Sequence, residues 1–256
     1  MDLGLKGKVA IVTGASRGIG KAIAMSLAAE GCNLVLCARG EQELRVATES
    51  MKGGEIRTVA ADITEPGTAD ALVAVAVSQF GRLDVFVGNA GGNRRKNFEN
   101  TTDDDWADIL EINLLAHLRC SRSAIPKMRE SGGGAIVFIS SIFGREAGGK
   151  GLSLYNTTKS ALISAAKIMA LELAEDGIRV NTVAPGSIRH PGGSWDRRAK
   201  ENPEAMEKFV QDNIPLGRFG TAEEVADTVC FLVSPRASLV TGACLNIDGG
   251  QSKSLI

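Results

Sequence analysis

The chain has 256 residues, 44% of them hydrophobic and 23% charged, which is enough apolar material for a sizeable core and excludes a disordered protein. With 29 basic and 30 acidic side chains the formal net charge is −1, so there is no global attraction to nucleic acid or an anionic membrane, and any phosphate recognition is local. Cys32, Cys37, Cys120, Cys230 and Cys244 form no C-x-x-C pair and read as buried free thiols of a reducing compartment, and no apolar stretch approaches the roughly 18 residues of a membrane span. Two lysines precede the first apolar run, but that run stops at "TGASRGIG" without a cleavage site, so the expectation is a cytoplasmic protein.

In chain order, "KVAIVTG" is the first strand, followed by a helix over 17–29. "NLVLCAR" and a helix over 41–51 come next, then "IRTVAAD" with 66–80, "LDVFVGNAG" with 103–129, and "AIVFISS" with 153–175. "IRVNTVAPG" leads into an irregular excursion at about 186–213, then a helix over 222–233 and a last strand, "CLNIDGG". Most strands are nearly continuous in apolar residues, as strands buried on both faces are, and Gly31, Gly81 and Gly177 directly follow helical runs. This alternation predicts one α/β domain over 1–256, with a parallel sheet covered by helices on both faces. The stretch 184–207 carries three prolines and concentrated charge, and the excursion reads either as a surface detour or as a loop over a substrate.

The first βα turn carries Gly14, Gly18 and Gly20 in the spacing G-x-x-x-G-x-G. Glycines there let the backbone approach a pyrophosphate, and the N–H groups of the new helix favour its charge. The second strand ends in Ala38 and Arg39, where an acid would hydrogen-bond an NAD ribose. Without that acid, Arg17 and Arg39 can converge on a 2′-phosphate, which predicts NADP(H) rather than NAD(H) as cofactor.

In "SLYNTTKSAL", Tyr155 and Lys159 fall one turn apart on a helix face, and Tyr155 is the single tyrosine of the chain. Together with "TGASRGIG" (13–20), "GNAG" (88–91), Asn113 in "EINLLAH", "ISS" (139–141), "YNTTK" (155–159) and "RVNTVAPG" (179–186), this resembles the classical short-chain dehydrogenase/reductase family over essentially the whole chain. The branch it most resembles is the 3-oxoacyl-acyl-carrier-protein reductases.

The resemblance implies a Rossmann-type, doubly wound seven-stranded sheet of order 3-2-1-4-5-6-7. It implies that Tyr155 is the general acid or base, that Lys159 lowers the pKa of the phenol and holds the nicotinamide ribose, that Ser141 polarises a carbonyl, and that Asn113 organises a proton relay. Ser140 is the alternative to Ser141, since adjacent strand residues face opposite ways. Cofactor contacts carried over are Gly14, Ser16, Arg17, Gly18, Ile19, Gly20, Arg39, Asp62, Ile63, Asn89, Ala90, Gly91, Tyr155, Lys159, Pro185, Gly186 and Ile188. His190 departs from the pattern, standing where a threonine commonly contacts the cofactor, and it reads either as a solvated loop residue or as a phosphate or substrate contact.

The implied activity is NADP(H)-dependent hydride transfer between the nicotinamide and a carbonyl or secondary alcohol, 3-oxoacyl thioesters first, with sugars, polyols or small ketones as the alternative. Glu175 and Asp176 oppose docking of an acidic carrier protein, and Trp195 reads as an apolar lid, a sugar-stacking platform or an interface residue. A non-catalytic dinucleotide module is disfavoured by the intact Asn-Ser-Tyr-Lys set. The basic "GGNRRK" (91–96) reads as the rim of the site rather than a nucleic-acid surface. A homotetramer built through the helices at 103–129 and 153–175 is implied, and no metal is expected, His117 and His190 being far apart in the sequence.

Overall fold

A computed structural model of the chain describes residues 2–255. Seven strands, β1 (Val9–Thr13), β2 (Asn33–Ala38), β3 (Ile56–Ala60), β4 (Val85–Gly88), β5 (Gly134–Ile139), β6 (Ile178–Pro185) and β7 (Cys244–Ile247), form one sheet of order 3-2-1-4-5-6-7. Every pairing is parallel, with Val9 opposite Asn33 and Val85 opposite Ala135 in register. The continuous apolar runs have the predicted consequence: β1 and β4 are buried along their whole length, with one hydrophobic cluster on each side of the sheet.

Helices α1 (Gly18–Ala29), α2 (Glu41–Thr48), α3 (Thr68–Phe80) and α6 (Ser153–Glu172) lie within the expected spans and are slightly shorter. Gly67, with φ +83°, precedes α3 and moves its start past Pro66. The helix expected over 103–129 is interrupted. It consists of α4 (Asp103–Leu110), a π turn (Glu111–Leu115) and α5 (Ala116–Glu130), and the wider turn carries Asn113.

The excursion at 186–213 contains α7 (Ser194–Glu201) and α8 (Pro203–Asn213). Asn202 caps α8 by accepting from Ala205 N at 3.0 Å, and Pro203 occupies its first turn, where no N–H is needed. Asp196 fastens the start of α7 by accepting from Gly192 N at 3.1 Å and pairing with Lys200 at 2.7 Å. Helix α9 (Ala222–Val233) opens with a Thr221–Glu224 capping box and packs against α1. The strand order reverses between β1 and β4, so the carboxyl ends of these two strands flank the crevice where open α/β sheets bind ligands.

Candidate active site

A cleft of about 980 Å³ runs over the carboxyl ends of β1, β2 and β4. Its floor is the predicted glycine turn. Gly14 and Gly18 have φ of +66° and +56°, in the left-handed region that other residues avoid. Helix α1 starts behind Arg17 with no side-chain cap, which leaves its first N–H groups facing the cleft. A Cβ on Gly14 would come within 2.8 Å of Asn89 Nδ2, and one on Gly20 would run into the carbonyl of Gly14. Asn89 ties the ends of β1 and β4 together: its Nδ2 donates to Thr13 O at 2.9 Å, while Thr13 Oγ1 accepts from Asn89 N at 3.0 Å and Ala90 N at 3.2 Å.

Ser16, Arg17, Ile19, Ile63 and Gly91 line the same cleft, as do Arg39 and Asp62, whose side chains lie 3.8 Å apart. Asp62 also accepts from Thr64 N at 3.0 Å and Thr64 Oγ1 at 2.8 Å. These bonds hold its carboxyl below the usual range, although burial alone would push it up. The cradle fits a dinucleotide: glycines where a Cβ would fill it, free helical N–H groups and arginines at one end. Glu43, which the sequence reading passed over, also lines the cleft; its carboxylate lies against Gly40.

A second pocket of about 370 Å³ opens off the cleft and contains Ser141, Tyr155, Lys159, Pro185, Gly186 and Ile188. The segment after β6 is held by Gln251, whose Oε1 accepts from Ser187 N at 2.8 Å. Lys159 is 4% exposed; its Nζ donates to Ile139 O at 2.7 Å and lies 5.8 Å from the centre of the Tyr155 ring. The adjacent serines separate as the strand pleat requires. The Ser140 hydroxyl donates to Lys159 O at 3.0 Å, whereas Ser141 sits beside the phenol and accepts from Phe143 N at 3.2 Å. Asn113 is fully buried and lines neither cavity. Its Nδ2 donates to Gly92 O at 2.9 Å and Thr158 Oγ1 at 3.1 Å, and its Oδ1 accepts from Gly92 N at 2.8 Å.

The electrostatics differ from the expectation that Lys159 lowers the pKa of Tyr155. Burial pushes the phenol above its ordinary value, and Ser141 beside it pulls the other way without prevailing. Burial also brings Lys159 down to about 8. Burial therefore favours the neutral form of both groups, and the lysine keeps its charge below about pH 8. At neutral pH the site holds a protonated phenol beside an ammonium, ready to donate a proton.

His190 lies over the glycine turn, since a Cβ on Gly18 would meet its Nε2 at 2.7 Å, and it lines both cavities. Trp195 forms part of the wall of the smaller pocket, stacked on Phe209 at 4.7 Å and close to Phe219 at 5.3 Å. His117, passed over as a lone histidine, is buried beneath the turn after β4 with Nε2 2.8 Å from Ala90 O.

Such a sheet, turn and pocket are those of a dinucleotide-binding oxidoreductase. A family model described as enoyl-(acyl carrier protein) reductase matches residues 14–252. The 3-oxoacyl-[acyl-carrier-protein] reductase FabG of Staphylococcus aureus is 38% identical over 247 residues, covering 95% of this chain and 98% of its own. L-Sorbose reductase from Gluconobacter frateurii, solved with NADPH and L-sorbose, is 36% identical with a TM-score of 0.93, covering 100% of both chains. A 7α-hydroxysteroid dehydrogenase solved with NADH is 32% identical, with a TM-score of 0.90 over 100% of this chain and 98% of its own. The chain belongs to the short-chain dehydrogenase/reductase family of oxidoreductases, with relatives of the 3-oxoacyl reductase kind.

Proposed function

We propose that the protein is an NADP(H)-dependent reductase of carbonyl compounds that also runs in reverse on secondary alcohols. The observation that carries this reading is the convergence of Ser141, Tyr155 and Lys159 on one pocket that shares Ile19, Asn89, Gly91 and His190 with the cleft. A nicotinamide cofactor in the cleft supplies or accepts the hydride. In reduction, Ser141 donates a hydrogen bond to the carbonyl oxygen and Tyr155 protonates it. Lys159 stabilises the phenolate left behind, and its charge persists below its pKa of about 8. Asn113 acts through the backbone it holds rather than through a free side-chain group. Preference for NADP(H) rests on Arg17 and Arg39 in the cleft and on the absence of an acid at Ala38.

The similarity to the S. aureus 3-oxoacyl reductase supports 3-oxoacyl thioesters as substrates. One observation favours a second reading, ketoses and polyols: Ser194 and His190 line the smaller pocket beside Trp195, side chains suited to hydrogen-bonding sugar hydroxyls. Exposed Leu115, Ile168 and Leu171 on the long helices support a homotetramer; sedimentation as a monomer would contradict that part. The substrate test is NADPH oxidation against 3-oxoacyl thioesters, ketoses, steroid ketones and small diketones, with NADH in parallel. Turnover on one class with NADPH names the substrate. Equal or faster turnover with NADH would overturn the cofactor assignment, and failure of every carbonyl despite bound NADPH would overturn the reductase reading.

A further inference from the structure

We infer that His117 is a positioning residue which, together with Asn113, holds the backbone at 90–92 in place beside Lys159. The inference rests on the reading of the cleft as a cofactor site. His117 follows Asn113 by one helical turn, so both side chains leave the same face of the π turn and α5. Between them they fix both sides of Gly91. His117 Nε2 meets Ala90 O at 2.8 Å, and Asn113 accepts from Gly92 N at 2.8 Å while donating to Gly92 O at 2.9 Å. Gly91, so held, passes directly by the catalytic ammonium: a Cβ there would stand 3.0 Å from Asn113 Oδ1 and 3.6 Å from Lys159 Nζ.

The tautomer follows from the partner. A carbonyl only accepts, so Nε2 carries the proton and Nδ1 carries the lone pair. Nδ1 is buried without a hydrogen-bond partner, facing Gly88, where a Cβ would lie 2.8 Å away. The ring is wedged against Phe138 at 6.0 Å between centroids. Burial first, and the Lys159 charge second, bring the imidazole down to about 3, so it stays neutral and adds no positive charge beside Lys159. An orphaned lone pair in an apolar niche weakens the fold, and leucine would fill the same space without one. Leucine would in turn leave the Ala90 carbonyl unpaired, so what the imidazole supplies is its bond to Ala90, in the turn that supports the cofactor.

The test compares His117→Leu with His117→Gln, whose amide can donate in place of Nε2–H, by fluorescence titration of NADPH. The leucine variant is expected to weaken NADPH about tenfold, and the glutamine variant to stay within about threefold of the parent. Leucine binding as well as the parent, or glutamine failing as badly as leucine, would overturn the inference. ¹⁵N NMR of the parent protein gives a readout independent of folding by the variants, since the chain holds two histidines. The signal assigned to His117 is expected in the Nε2–H form, unchanged from about pH 5 to about pH 9; an Nδ1–H form or a titrating ring would overturn the inference. Should the parent protein not bind NADPH, the cofactor reading fails, while the tautomer result still decides the bond to Ala90.

Discussion

Replacing Lys159 with methionine is expected to make the protein more stable while abolishing its activity. Burial brings the lysine from 10.5 down to about 8, and a shift of that size corresponds to about 3 kcal/mol against the ammonium in the folded state. Methionine fits the same channel without a charge, but it cannot donate to Ile139 O, and losing that bond costs about 1 kcal/mol. The net gain is about 2 kcal/mol, or roughly 4–8 °C in melting temperature for a chain of this size. Between about pH 8 and 10.5 the unfolded chain binds the proton that the folded chain has released, so the stability of the parent protein climbs across that window. The advantage of methionine is accordingly full below about pH 8 and fades as the pH approaches 10.5. Calorimetry without cofactor at pH 7 and pH 10 checks both features, since bound cofactor would stabilise the parent protein by mass action. A methionine variant that melts below the parent at pH 7, or whose advantage is the same at both pH values, would refute the assignment of a buried, penalised ammonium.

The two serines are expected to separate cleanly. Ser141→Ala should lose about 10²-fold in kcat, whereas Ser140→Ala, whose hydroxyl is occupied by Lys159 O, should keep its rate and lose about 1 kcal/mol in a denaturant titration; the reverse result would move the carbonyl contact to Ser140. At the other end of the cleft, Arg39→Ala should weaken NADPH about tenfold and leave NADH nearly unchanged, an effect that shrinks with salt, while Glu43→Gln should tighten NADPH about twofold in direct titration. Away from the site, Asp84 is buried and accepts from Arg82, Lys8 and Val9 N, bonds that keep its carboxyl ionised although burial opposes it. Asp84→Asn should cost about 3 kcal/mol by denaturant titration at neutral pH. The contribution of the carboxylate is present above its ordinary pKa of 3.8 and lost as the pH falls through the lowered value, so the cost should shrink in acid.

The sheet was legible because its strands carry unbroken apolar runs and its first turn carries glycines at positions where a side chain cannot fit. The Tyr155–Lys159 pair was legible because four residues make one helical turn. The break at 111–115 was not, since a π turn adds a single residue to one helical turn and no glycine or proline marks it. Helices α7 and α8 were obscured by the glycines and prolines around them, although Asn202–Pro203 is a helix-start signal that could have placed α8. His117 gave no signal of its own, because its partner is a backbone carbonyl, which no residue pattern displays; its spacing of four from Asn113 was the available hint. The pKa of Lys159 depends on how deeply the finished fold buries it, a property of packing rather than of spacing.

The most direct test of the central claim is the replacement of Tyr155, the single phenol of the chain, by phenylalanine, with NADPH oxidation and NADPH binding measured on the same preparation. Loss of kcat by about 10³-fold or more, with NADPH affinity within about twofold of the parent protein, is the predicted result for a proton donor that the cofactor does not need for binding. Turnover that survives the substitution would contradict the account and leave the proton to come from elsewhere.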